Sequence, residues 1–448
     1  MPGKLVPSDF IIPYGRQSIS EEDIEAVVLS LRSDFLTCGP EVEAFEKEFA
    51  AFVGAKHAVA VCNATAALHL AMRVLGIGPG SRVVTSPITF VASANAAAYV
   101  GAIPDFCDID PATNNLDPTA LEAGWESDTK AVVAVDYAGQ TCNMPEIARI
   151  ARSRGAYVIE DACHGTGGGF QAAGQKWKLG GHPWADITTF SFHPVKSLTT
   201  GEGGVLLTEN DEWAAKARLL RTHGITRNSS EFYGLDDQLL QVSGLGSPLS
   251  EFGPWYYEMQ ELGYNYRITD LQCALGRSQL KRLPGFIARR QEIASRYNQA
   301  FANLDWLKPP ALASSSPATC YPLPDISAAS NTLDPRLSSL DSSFSYQLSD
   351  LSLHLYTIQI DFSRLGKTRT EVMQELREQG IGTQVLYIPV YLQPWYRRTF
   401  GYASGKCPNA EKFYARALCL PLYPAMSDAD VGKVIQNVLS LKSKFPFK

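Results

Sequence analysis

No run of about 18 uncharged apolar residues, the length a helix needs to cross a bilayer, occurs in the chain. The first residues, MPGKLVPSDFIIPYG, also lack the apolar core of a signal peptide, so the cytoplasm is the expected address. The nine cysteines make no CxxC pair and no close cluster with histidine. That argues against a disulfide framework or a zinc site, no metal is expected, and most cysteines read as small buried hydrophobes. Positive charge is scarce: the formal net charge is −6, the wrong sign for a broad nucleic-acid surface, and no DNA-binding appendage is evident. An anionic small molecule would need a local positive cavity. No internal repeat is visible.

What is present is an ordinary globular balance, 45% hydrophobic and 19% charged over 448 residues, enough for one or two domains with a large core. Between residues 56 and 208, seven short apolar runs alternate with amphipathic or Gly/Pro-marked stretches: HAVAVC, RVVTS, IPDFCDI, AVVAVDY, AYVIED, ITTFSF and GVLLT. Several are continuously apolar, as strands covered on both faces are, and many of the gaps have room for a crossover helix. The expectation is an α/β domain with a mainly parallel sheet.

Before it, ISEEDIEAVVLSLRS predicts a helix capped by Ser20 with Asp23 three positions on. After it, the helical RRQEIASRYNQAFANL, the strand TIQIDF and the helix TRTEVMQELREQGIG, closed by Gly380, predict a smaller α+β domain. The expected division is 1–275 for the N-terminal segment and large domain and 276–448 for the small one. The Ser-rich stretch 313–350 reads as an inserted surface loop.

In TTFSFHPVKSLTTGEGG, residues 188–204, one lysine stands between a strand and a Gly-rich turn. Taken alone, a lysine such as Lys196 reads as a solvated surface residue. An amine attacks an aldehyde only when part of it is neutral, which enclosure or positive neighbours bring about. A pyridoxal phosphate site further demands an acid at the pyridine nitrogen, a phosphate cup and a ring platform. Asp161 ends the run AYVIED, where two neighbouring strands would present both side chains at one sheet edge; its bland reading is a helix cap or loop aspartate. Asn63, Ala64 and Thr65 lie between a strand and a helix whose N-terminal N–H groups and positive end suit a phosphate, although such residues also cap helices that bind nothing. Ser191 offers another hydroxyl or a purely structural serine. Phe90 offers a stacking ring or a core aromatic. His193 reads as a hydrogen-bonded histidine near the site, since Lys196 itself can move protons, and Cys163 as inert packing.

Taken together, LTCGPEVEAFEKEFA, NATAALHLA, TSPITFVASANAA, VDYAGQ, EDACHGTGG, FSFHPVKSLTTGEGG, RTHGI, GYNYRITDLQCALGRSQLKRL and QVLYIPVYLQPWYR resemble, in order and over most of the chain, the DegT/StrS-type nucleotide-sugar aminotransferases. The resemblance implies an aspartate aminotransferase-like α/β fold (pyridoxal phosphate fold type I) and pyridoxal 5'-phosphate as cofactor. It implies Lys196 as the Schiff-base lysine and proton shuttle, Asp161 at the pyridine nitrogen, His164 beside the ring oxygen or face, and phosphate contacts from Ala64, Thr65 and Ser191. It also implies a homodimer in which Asn265 reaches across from the second subunit.

On the substrate side it implies Tyr14, the segment Asp34, Phe35, Leu36 and Thr37, and the strand Gln384, Val385, Leu386 and Tyr387. Leu386 departs from the pattern, because the family commonly has histidine there. Within the family, PWYYEMQELGYNYRITD, VDYAGQ and FVASANAA are most similar to the aminotransferases of pseudaminic acid synthesis, implying transfer from L-glutamate to C4 of a UDP-linked 4-keto-6-deoxy amino sugar. Perosamine- and 4-amino-arabinose-type aminotransferases share every cofactor residue. The family's sugar dehydratases carry histidine in place of the lysine, which Lys196 argues against. A non-enzymatic pyridoxal-binding sensor is the reading furthest from these.

Overall fold

In a computed structural model of the chain, the described residues are 12–233, 255–311, 319–322 and 343–442, with the backbone alone described at 319–322 and 343–349. Nine strands lie between residues 57 and 208: β1 (His57–Val61), β2 (Arg82–Thr85), β3 (Ile103–Phe106), β4 (Thr129–Val135), β5 (Tyr157–Asp161), β6 (Gly169–Ala172), β7 (Gln175–Lys178), β8 (Ile187–Ser191) and β9 (Gly204–Thr208). The seven apolar runs supply seven of these, and the seven form one sheet in the order β1-β9-β8-β5-β4-β2-β3. From β3 to β8 every pairing is parallel; β9 runs antiparallel to both β8 and β1. The chain reverses between β8 and β9 through a turn with no crossover helix, and that turn carries Lys196.

Both faces are covered, which is why the strands read as unbroken apolar runs. On one face Val59, Val83, Val133, Ile159 and Leu206 pack with Leu68, Leu70 and Ala71 of the helix Ala64–Val74 and with Ala217 and Leu220 of the helix Asp211–Arg221. On the other, Ala60, Val132, Val158, Phe190 and Val205 pack with Phe45 and Phe49 of the helix Pro40–Val53 and with Ile147 and Ile150 of the helix Met144–Arg152.

The helix Glu21–Leu31 starts at Ser20 with the expected reciprocal cap to Asp23. Asp23 is fully buried and also pairs with Arg282 at 2.6 Å and Gln279 at 2.6 Å, so one side chain both caps this helix and docks it on another. That other helix, Asp270–Phe301, places Cys273, Leu280 and Leu283 in the sheet's core and Ile293, Tyr297 and Phe301 in a second one. Around the second core stands a three-stranded antiparallel sheet of Leu307–Lys308, Tyr356–Ile360 and Ala417–Leu420. The helix Arg369–Glu378, capped by Thr368 and followed by Gly380 at φ 75, completes the C-terminal pattern.

The stretch 313–350 departs from expectation where it is described. Thr319–Pro322 and Ser343–Asp350 are strands, and Ser343–Asp350 pairs with β6 in a four-stranded antiparallel sheet. Low apolar content hid a period-two alternation in SFSYQLSD, Phe344, Tyr346 and Leu348 against serine and glutamine. The rest of the stretch lies outside the described residues.

Candidate active site

At the C-terminal ends of β5 and β8 the sheet opens into a cavity of about 500 Å³. Carboxyl ends of parallel strands are where open α/β sheets leave a crevice, since the crossover connections diverge there. Asp161 and Lys196 both line it. Parallel pairing sets Asp161 opposite Thr189, so the ends of the two strands lie side by side.

Asp161 is held by its neighbours. Its carboxylate accepts from Ser93 Oγ at 2.7 Å and from the Cys163 N–H at 3.3 Å, and Ser93 Oγ shares a 2.7 Å hydrogen bond with Thr89 Oγ1. The period of a strand turns the preceding Glu160 to the opposite face, where it meets His182 at 2.8 Å, Thr188 Oγ1 at 3.0 Å and the Gly180 N–H at 3.0 Å. Burial pushes the Cys163 thiol well above its ordinary pKa, which keeps it protonated.

Burial lowers the Lys196 amine below the ordinary lysine value, against the opposing pull of Cys163 and Asp161. The folded protein therefore gives up this proton at a pH where a free lysine keeps it, and more of the amine is neutral near pH 8. Capture of pyridoxal by the cofactor-free protein should show a pH midpoint below 10.5, followed by absorbance. A midpoint at or above that value would contradict the placement.

Opposite, the helix Ala64–Val74 aims its N-terminus into the cavity. Asn63 caps it through Oδ1 to the Ala66 N–H, and the first-turn N–H groups of Ala64 and Thr65 have no intrahelical acceptor. With the Thr65 and Ser191 hydroxyls these groups form a cup suited to a phosphate. The cup depends on Gly204: a Cβ there would lie 2.6 Å from the Ala64 nitrogen and 2.6 Å from the Asn63 carbonyl carbon. Gly204→Ala should force the helix start away from β9, lower affinity for pyridoxal phosphate about tenfold and cost about 1–3 kcal/mol of stability, read by cofactor titration and by thermal unfolding. Unchanged affinity would separate the cup from the cofactor.

His164 is buried with its Nδ1 accepting from the Ala138 N–H at 3.3 Å, so the proton of the neutral ring sits on Nε2, 3.3 Å from Tyr387 Oη. Burial first, and Lys196 second, hold its pKa well below the ordinary value. Phe90, 57% exposed, stands at the cavity edge with its ring 6.2 Å from that of Tyr387.

The cavity thus gathers Tyr14, Ala64, Thr65, Phe90, Asp161, His164, Ser191, Lys196, Leu386 and Tyr387 from the sequence reading. It does not gather Asp34, Phe35, Leu36 and Thr37, which are exposed on the loop before the helix Pro40–Val53, nor Gln384, Val385 and Asn265, of which Asn265 is exposed beside the Thr222 bridge. Ser93, Glu202 and His354 are cavity residues the reading missed. Ser93 lies inside the quoted TSPITFVASANAA, whereas His354 sits in the apolar stretch LSLHLYTIQI with no local signal.

Among the described residues no cluster of three or more His, Cys, Asp or Glu side chains is arranged to hold a metal, and no helix is long and apolar enough to cross a membrane. An amine of lowered pKa, a fixed carboxylate and an N-terminal helix cup in one cavity fit the aldehyde, ring nitrogen and phosphate of pyridoxal phosphate.

A family model, "DegT/DnrJ/EryC1/StrS aminotransferase family", matches residues 17–330 and 327–439. The spore coat polysaccharide biosynthesis protein SpsC of Bacillus subtilis is 41% identical over 428 residues, covering 95% of this chain and 96% of SpsC. Among solved structures, Helicobacter pylori PseC, an aminotransferase involved in the biosynthesis of pseudoaminic acid, matches with a TM-score of 0.78 and 27% identity over 97% of this chain and 100% of its own. The PLP form of Spr1654 from Streptococcus pneumoniae matches with a TM-score of 0.77 and 26% identity over 97% of this chain and 99% of its own. The chain therefore belongs to the DegT/DnrJ/EryC1/StrS aminotransferase family and is a sugar aminotransferase of fold type I that uses pyridoxal 5'-phosphate.

Proposed function

We propose that the protein moves an amino group from L-glutamate to C4 of a UDP-linked 4-keto-6-deoxy-N-acetyl hexosamine, forming UDP-4-amino-4,6-dideoxy-N-acetyl-β-L-altrosamine for pseudaminic acid synthesis. The observation carrying the reaction class is Lys196, its amine pKa lowered, in one cavity with Asp161 and the N-terminus of the helix Ala64–Val74. The specific sugar is supported by the similarity to PseC and by the quoted motifs.

Bound pyridoxal phosphate supplies an aldehyde that captures amines and a ring that takes up an electron pair. Lys196 Nζ would hold that aldehyde and, when free, would take up the proton of the donor carbon in one half-reaction and deliver one to the acceptor carbon in the other. Asp161 would set its carboxylate against the ring nitrogen, with Ser93 and the Cys163 N–H fixing it in advance. Ala64, Thr65 and Ser191 hold the phosphate. Tyr14, Leu386 and Tyr387 shape the sugar side, joined in this proposal by Asp34, Phe35, Leu36, Thr37, Gln384 and Val385.

Asn265 would complete the cofactor site of a second copy in a homodimer, its exposure leaving it free for that contact. The large and small domains, 1–275 and 276–448, and a cytoplasmic location belong to the same reading. The second reading is an aminotransferase of perosamine or 4-amino-arabinose type, which shares every cofactor residue and differs in the sugar pocket that Leu386 lines.

Holoenzyme incubated with L-glutamate and a panel of UDP-, GDP- and dTDP-4-keto sugars, with mass analysis of the nucleotide sugars, tests the proposal. Amination of the UDP-linked N-acetyl hexosamine ahead of the others is expected. Preference for a GDP or dTDP sugar would overturn the substrate. Light scattering of the active protein should give the mass of two chains, and an active monomer would remove the role of Asn265.

A further inference from the structure

His354 belongs to no motif and has no role in the scheme above, yet it forms part of the cavity wall. It is 5% exposed, and its ring lies 4.6 Å from that of His164. The backbone holds it from two sides: its N–H donates to the Ala138 carbonyl at 3.0 Å, and its carbonyl accepts from Arg290 at 3.4 Å. Ala138 is also the residue whose N–H fixes the His164 ring, so one left-handed residue, at φ 59, holds that imidazole and the His354 backbone.

Among the described residues the side chain makes no hydrogen bond. Nδ1 is fully enclosed and has no hydrogen-bond partner among the described residues; His354 lines the cavity, so Nε2 is the nitrogen that can serve it. A buried N–H without an acceptor is costly, so the favoured tautomer keeps Nδ1 bare and carries the proton on Nε2. Burial first, then Lys196, His164, Arg290 and His193, holds the imidazolium form down, and those four neighbours are all basic.

Arg290 strengthens that asymmetry. It is 1% exposed, and its guanidinium donates to the carbonyls of Leu422 at 2.7 Å, His354 at 3.4 Å and Lys196 at 3.5 Å. Among the described residues no carboxylate pairs with it. Burial brings its pKa down to about 10, which leaves it cationic at neutral pH. An uncompensated buried cation beneath a neutral N–H donor makes this wall attractive to negative charge.

We propose that His354 is a ligand-binding residue whose Nε2–H, backed by Arg290, donates to an anionic group of the substrate, either the carboxylate of the amino donor or the diphosphate of the nucleotide sugar. The identity of those ligands rests on the proposed function; the anion preference rests on the wall alone. No charge on His354 is needed, so the subsite works in the neutral state that burial enforces.

The test is titration of the holoenzyme with glutarate and, separately, with UDP, for the wild type and for His354→Ala and His354→Gln, read by cofactor absorbance and calorimetry without turnover. A hydrogen bond to a charged group supports an expected loss of about ten- to a hundredfold in affinity for one probe in the Ala variant. The other probe should be unaffected. Gln, whose amide reaches as far as Nε2, should recover part of the loss. Loss confined to glutarate assigns the donor carboxylate, and loss confined to UDP assigns the diphosphate.

The proposal is overturned if both probes bind the Ala variant as tightly as the wild type, if the wild type binds neither, or if both weaken equally together with cofactor affinity. The proposed function is judged apart from this, by the nucleotide-sugar panel. An enzyme that aminates the UDP sugar while His354→Ala binds both probes normally loses this subsite and keeps its function.

Discussion

Lys196→Ala is expected to lower turnover with L-glutamate and keto-sugar by about 10⁴-fold, the upper end of what a positioned proton-transfer group contributes. The size of the effect comes from the doubling of roles in one amine. Lys196 is the group in the cavity able to hold the cofactor aldehyde and is also the base whose pKa burial has lowered. His164 cannot replace it as the base, since its Nδ1 lone pair already accepts from Ala138 and Nε2 carries the proton. His193 is exposed on the same turn.

The fold should survive, because the turn is held by backbone contacts such as the Lys196 N–H to the His193 carbonyl at 2.9 Å. Borohydride reduction of wild-type holoenzyme should attach the cofactor to the peptide containing Lys196 and leave the variant unlabelled. Full turnover in the variant, or label on another peptide, removes Lys196 from the mechanism.

Asp161→Asn should cost about a thousandfold in turnover while leaving borohydride labelling of Lys196 intact. The carboxylate is 4% exposed, and a buried charge facing a charged ring nitrogen is worth about 3–5 kcal/mol when one partner is removed. The amide keeps the size and one hydrogen-bond acceptor for Ser93, so geometry changes little and lost charge dominates. Transition-state stabilisation suffers more than binding: kcat should fall with modest change in KM. A variant with wild-type kcat would show that the ring nitrogen does not need this charge.

The seven strands were legible because apolar runs buried on both faces leave an unambiguous trace, as in AVVAVDY and GVLLT. Asp161 was legible because it ends a strand, and Lys196 because it stands alone in the Gly-rich turn that follows one. Residues acting through tertiary approach were not. Ser93 touches Asp161 across 68 residues of chain, and His354 meets His164 only through tertiary packing. The strand Ser343–Asp350 was missed because serine content outweighed a period-two signal, and its pairing with β6 is distant in sequence. The segment Asp34–Thr37 and Asn265 form no part of the chain's own cavity, and it is the family resemblance, not the spacing of this chain, that points to them.

The helix Asp270–Phe301 has a consequence for how the molecule comes apart. Its N-terminal half is built into one core and its C-terminal half into the other, with Pro284 at the passage between them. Melting either core strips half of this helix of its partners, so loss of one unit destabilises the other. Heating should give a single cooperative transition, and chain halves severed at 275 should not be rescued by mixing unless this long rod can reassemble across the break.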